Sequence, residues 1–77
     1  MTLIAIVDAY ITLQQLLKSE GIIYSGGYAK SFLQTETVLV NAEREQRRGR
    51  KLYPGDTIAW SNHLFVITAS TDGGSAN

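Results

Sequence analysis

Apolar and polar residues follow two different periods along this chain, and the changes of period divide it into elements. Thr2 to Val7 is a run of β-branched and aliphatic residues, which predicts a strand. From Ile11 the period becomes helical, with Leu13, Leu16 and Leu17 at the spacing of one buried helix face. Thr12 stands just before that run and Gln15 three residues later, the pattern of a capping box, and Ile11 and Leu16 are spaced for a hydrophobic staple. Gly21 suits the left-handed residue that ends a helix, so a first helix is predicted over residues 13–20. After the apolar connector Ile22-Ile23-Tyr24, Ser25 is a second cap, and Ala29, Phe32 and Leu33 mark the inner face of a second short helix ending near Gln34. Two short helices with a tight connector predict a helical hairpin. Helices this short are marginal alone in water, so their apolar faces need a cover.

Beyond Gln34 the pattern is that of strands. Thr37 to Val40 is one, followed by a two-residue turn at Asn41-Ala42, where glycine would suit the second place better. Glu43 to Arg48 is polar and reads as the returning strand with one solvated face; Gly49 breaks it. Tyr53-Pro54-Gly55-Asp56 has proline and glycine where a type II turn requires them. Thr57 to Trp60 and Leu64 to Thr68 are two further strands around a turn that holds His63, with Trp60 and Phe65 as core residues. The predicted fold class is α+β: a helical hairpin packed on a small, mostly antiparallel β-sheet. Residues 1–69 form one domain, and the glycine-rich, polar residues 70–77 are expected to be a flexible C-terminal tail.

Composition narrows the function classes. At 77 residues there is room for one domain. With no cysteine, a disulfide framework and a thiolate metal site are excluded, which leans toward a reducing compartment. The apolar start is short, lacks a basic leader and is interrupted by Asp8, so it is a poor signal peptide. No run approaches the roughly 20 apolar residues that span a bilayer. A cytoplasmic protein without a membrane partner is expected. Formal net charge is zero, yet Arg44, Arg47, Arg48, Arg50 and Lys51 fall in one short stretch, and Lys18 and Lys30 are the only other basic residues. The sum is neutral while the local field is not.

The chain resembles a known family in the order of these pieces. Leu13-x-x-Leu16-Leu17, Gly21, Ser25 with Ala29, Val38-x-Val40-Asn41 and Gly55-Asp56 follow the line of the RNA-binding domain first described in ribosomal protein S-four, the alpha-L RNA-binding motif. The match runs from about Tyr10 to Ile58. Ser25-Gly26-Gly27-Tyr28-Ala29-Lys30 and Arg47-Arg48-Gly49-Arg50-Lys51-Leu52 resemble the small stand-alone bacterial members called YaaA-like and YbcJ-like. The resemblance implies a bacterial, cytoplasmic, non-enzymatic module whose partner is structured RNA, ribosomal RNA included, with no cofactor and no small-molecule substrate. The chain departs from the family where relatives carry an arginine at the start of the first helix, here Tyr10-Ile11-Thr12, and another after the second-helix serine, here Gly26. It also has Glu36 in place of a turn glycine and Ala42 in place of the glycine of Asn-Gly, each expected to strain the backbone.

Candidate contacts follow from chemistry. Arginine offers a planar fork of donors to phosphate oxygens, so Arg44, Arg47, Arg48, Arg50 and Lys51 are candidate RNA contacts; the competing reading is a solvated charged loop paired in part with Glu43 and Glu45. At the start of the second helix, Ser25, Gly26 and Gly27 would let a phosphate approach backbone amides, with Lys30 one turn on, against a plain cap and tight turn. Tyr24, Tyr28 and Tyr53 are possible stacking platforms, although Tyr24 is expected to staple the helix and Tyr53 to pack beside Pro54, which leaves Tyr28 in the candidate set. Asn41 either donates to RNA or holds its turn, and Lys18 is a candidate phosphate contact against a solvated helix position. No metal site and no catalytic set are expected, because His63 stands alone in a turn. The alternative to RNA binding is a protein-interaction adaptor that uses the basic loop or a sheet edge.

Overall fold

The computed structural model of the chain describes residues 1–70, so the part of the expected tail at 71–77 lies outside the described residues. The amide of Ser70 donates to the Ile6 carbonyl at 2.8 Å.

The chain opens with β1 (Thr2–Ile6), then a two-residue strand β2 (Ile11–Thr12) that runs directly into α1 (Leu13–Ser19). The capping box forms as predicted: the Gln15 amide donates to Thr12 Oγ1 at 3.1 Å, and the Thr12 amide donates to Gln15 Oε1 at 2.7 Å. Gly21, at φ +74°, ends the helix region. A 3-10 turn (Gly26–Tyr28) then leads into α2 (Ala29–Thr35). Strands β3 (Leu39–Val40), β4 (Glu43–Arg44), β5 (Lys51–Leu52), β6 (Thr57–Trp60) and β7 (His63–Ala69) complete the fold.

The main sheet has the order β1-β7-β6-β3-β4, antiparallel except for β1, which pairs parallel to β7 with Thr2 opposite Phe65 and Ile6 opposite Ala69. The fold is therefore the expected α+β arrangement, two helices on a mostly antiparallel sheet. Leu13, Leu16 and Leu17 of α1 and Ala29, Phe32 and Leu33 of α2 are buried with Val38, Val40, Ile58, Phe65 and Ile67 of the sheet. Each fully buried leucine stabilises the fold by about 1.5–3 kcal/mol relative to leaving it in water.

The turns follow their residues. Tyr53 to Asp56 closes with the Asp56 amide on the Tyr53 carbonyl at 2.9 Å, and Gly55 takes φ +99°, which a side chain would resist. Between β3 and β4, Asn41 and Ala42 both have positive φ, +52° and +71°, the signature of a type I′ turn. Ala42 thus carries the expected strain. Glu36 does not: it sits at φ −104°, an ordinary extended conformation, and its Oε1 accepts a hydrogen bond from Trp60 Nε1 at 3.1 Å.

Other expectations are corrected. Ser25 makes no side-chain cap, and a 3-10 turn precedes the second helix. The strand expected over residues 43–48 stops at Arg44, because the chain turns inward at Glu45, whose amide donates to the Val38 carbonyl at 2.9 Å. Tyr24 does not staple the helix; it is 95% exposed. Trp60 is only partly buried, although it packs against Phe32 at 5.4 Å between ring centroids. His63 begins β7 instead of lying in the turn, and its ring stacks between Trp60 and Phe65.

Candidate nucleic-acid interface

The basic loop is a built structure. β2 and β5 form a separate two-stranded antiparallel ribbon, with Ile11 opposite Leu52 and Thr12 opposite Lys51. The ribbon continues into α1: the Leu13 amide donates to the Arg50 carbonyl and the Gln14 amide to the Arg48 carbonyl, both at 2.9 Å. The first amides of a helix have no partner inside it. Here the basic loop supplies two of those partners, and the capping box a third. The loop is therefore docked on the helix start by its backbone, whatever its side chains do.

Glu45 holds the loop from the other side. It is buried, with 6% of its surface exposed. Its Oε2 accepts from the Arg47 amide and from Arg47 Nε, both at 3.0 Å, and its Oε1 accepts from Arg47 at 3.1 Å and Arg50 at 2.7 Å. The hydrogen bonds from Arg47 are the chief reason its carboxyl is held down at about 2, from an ordinary 4.5, despite the opposing effect of burial; Arg50 adds to the same direction. The same pairing raises Arg47. Of the two acidic partners weighed for the arginines, Glu45 is the one used.

The basic candidates therefore fall into distinct settings. Arg47 and Arg50 share one carboxylate, although Arg47 remains largely exposed. Arg44 reaches the Gln34 carbonyl near the end of α2 at 3.3 Å. Arg48 and Lys51 are exposed, and Lys51 Nζ lies 4.9 Å from the centre of the Tyr10 ring, a cation–π distance. Arg47, Gly49, Arg50, Lys51 and Tyr53 line a shallow depression of about 440 Å³.

The second-helix candidates are more loosely built. Ser25, Gly27, Tyr28 and Lys30 are exposed, and the Tyr28 amide donates to the Ser25 carbonyl at 3.2 Å. Gly26 lies against the Gln14 side-chain amide, the mobile end of a side chain that would have to move aside for a Cβ there. The Tyr28 ring sits beside Phe32 at 6.3 Å and is half exposed. Asn41 is engaged at both ends: its Nδ2 donates to Asp56 Oδ1 and its Oδ1 accepts from the Thr57 amide, each at 3.0 Å. That arrangement ties the β3–β4 turn to β6 and serves the turn-holding role. Lys18 is exposed in the last turn of α1, where a cation complements the helix dipole.

Two parts of the site escaped the sequence. Tyr10 carries no sequence signal as a site residue, and Glu45, expected to pair with the arginines from a solvated strand, instead pairs with them from a buried position beyond the strand end. The triplets Tyr10-Ile11-Thr12 and Lys51-Leu52-Tyr53 each place one apolar residue between two outward ones, a signal too short to pair without the fold. Among the described residues, no group of histidine, aspartate and glutamate is placed to hold a metal, and no helix is long and apolar enough to cross a membrane.

Comparison with known proteins agrees with this architecture. The chain is 54% identical over 55 residues to the probable ribosome maturation protein RlbA of Bacillus subtilis (strain 168), a match covering 71% of this chain and 78% of that protein. Residues 4–68 match the S4 domain, and the chain belongs to that family.

Proposed function

We propose that this protein is a small, non-enzymatic RNA-binding protein of the bacterial cytoplasm that contacts structured RNA, ribosomal RNA foremost, through phosphates. The observation that carries the reading is the docked basic loop. Backbone bonds to α1 and the Glu45 clasp fix its course, and Arg48 and Lys51 are left exposed on it. A preorganised cationic edge loses little entropy on meeting a phosphate backbone. Arg47 and Arg50 belong to the same loop, Arg44 is a further cation of this reading, and Ser25, Gly26, Gly27, Tyr28, Lys30, Lys18 and Asn41 are its weaker contacts. The similarity to a protein named for ribosome maturation points to RNA of the ribosome as the target.

Catalysis draws no support from the site. His63 is stacked between aromatic rings, and a carboxyl held near 2 is a poor proton donor at neutral pH.

The test is the salt dependence of RNA binding. Each phosphate neutralised contributes about −0.7 to −0.9 to the slope of log affinity against log salt. The double variant Arg48→Ala, Lys51→Ala is expected to flatten that slope by about 1.5 units. An unchanged slope removes the basic loop from the interface.

One observation favours a second reading, a protein-interaction adaptor. Leu3 and Leu64 are 63% and 41% exposed on the sheet, and β1 is an edge strand. A pull-down with and without ribonuclease separates the two: partners that persist after ribonuclease belong to the adaptor.

A further inference from the structure

The β2–β5 ribbon has two faces, set by the period of two along each strand. Leu52 is buried and Ile11 packs against the core. Tyr10, Lys51 and Tyr53 therefore stand on the opposite, solvent side, and all three are exposed. Extending the register by one pair puts Tyr10 across from Tyr53, and their rings meet at 5.7 Å with a tilt of 48°. Lys51 covers the Tyr10 ring at 4.9 Å. Tyr53 is 48% exposed, and Asp56 fixes its backbone by accepting from the Tyr53 amide at 2.8 Å.

The surroundings differ on the two sides of this aromatic pair. Tyr53 lines the depression of about 440 Å³ whose other walls are Arg47, Gly49, Arg50 and Lys51, a size within the range of small-ligand sites. Tyr10 borders a smaller hollow with Asp8, Thr12 and Gln15. An anion fits the Tyr53 side and is disfavoured on the Asp8 side. An exposed ring on a fixed backbone, open to a cationic hollow, has the two features that hold a single-stranded nucleotide: a face for the base and charge for its phosphate.

We infer that the Tyr53 face of this ribbon binds one unstacked nucleobase, with Tyr10 as the buttress behind Tyr53 and the Arg50–Lys51 rim on the flanking phosphate. The inference rests on the RNA-binding reading above and adds a preference to it. A base inside a duplex is covered by its neighbours and offers no face to Tyr53. A bulged or looped-out base does.

The experiment uses three RNA hairpins of the same stem: one with a single-nucleotide bulge, one with an abasic residue at the bulge, and one fully paired. The wild-type chain is expected to bind the bulged hairpin about tenfold more tightly than the abasic one, the scale of one base–aromatic stack. Tyr53→Leu should erase that difference while leaving abasic affinity unchanged, and Tyr53→Phe should keep it. Thermal melts of both variants confirm that the fold is intact. Equal wild-type affinity for bulged and abasic hairpins overturns the base site and leaves the RNA reading standing. An equal loss for all three hairpins in Tyr53→Leu also overturns the base site, since it marks a merely structural role. No binding to any hairpin by the wild type overturns both.

Discussion

The two helices of this protein begin in opposite ways. At the start of α1, Thr12 and Gln15 cap each other's amides, and the carbonyls of Arg48 and Arg50 take the amides of Gln14 and Leu13. At the start of the second helical segment, no side chain caps the 3-10 turn, and Ser25 contributes only its carbonyl to Tyr28. Both starts look alike in sequence, a hydroxyl residue before an apolar-periodic run. The difference lies in what is brought alongside. The first start meets a loop 34 to 37 positions away in sequence and uses its donors to fix that loop in place, whereas the second has Gln14 pressed against Gly26. A helix N-terminus can bind an anion or anchor its own chain, and α1 is committed to the anchor. The basic loop gains its definition from that commitment.

The strongest way to break this contrast is to release the loop at Glu45. Its carboxyl drops from 4.5 to about 2 on folding, which corresponds to about 3 kcal/mol at neutral pH, and about 2 kcal/mol after allowing for solvent around the exposed Arg47. The sign follows from the depressed value: the contribution is complete above about pH 4.5 and is lost as the pH falls toward 2. Glu45→Gln should lower stability by about 2 kcal/mol at pH 7 and flatten the acid limb of the unfolding curve, measured by urea titration at several pH values. An unchanged acid limb would show that the clasp does not form.

A smaller effect separates the caps themselves. Thr12→Ala should cost about 1 kcal/mol, as loss of a side-chain cap does, while Ser25→Ala should change stability by no more than a few tenths. Similar losses at both positions in chemical denaturation would erase the contrast between the two starts. In the hairpin that leads to the loop, Ala42 sits at φ +71°, and Ala42→Gly should stabilise the fold by about 0.5–1 kcal/mol. A loss of stability on that change would mean that the turn is not strained.

What was legible in the sequence was local. The Thr12–Gln15 capping box, the Pro54-Gly55 turn and the strand Thr57–Trp60 are each set by residues within a few positions of one another, and each forms as read. The parallel pairing of β1 with β7 joins the two ends of the described chain, and no local pattern encodes it. The β2–β5 ribbon is two residues long on each side and depends on the helix start that it docks against. Glu45 misled for a similar reason. Alternation put it on the solvated face with Glu43, but the strand ends one residue earlier, and the turn there swings its carboxylate beneath two arginines. The basic loop was visible as a run of charge; which arginines are tied down and which are free was not, because that depends on the path of the backbone.

On the function proposed above, the docked loop presents its charge to RNA. The most direct test is a titration of the purified protein against structured bacterial RNA and an equal mass of duplex DNA at two salt concentrations. Tighter binding to the RNA, weakening as salt is raised, is the predicted result. No binding to RNA at low salt, or equal binding to both nucleic acids, would contradict it.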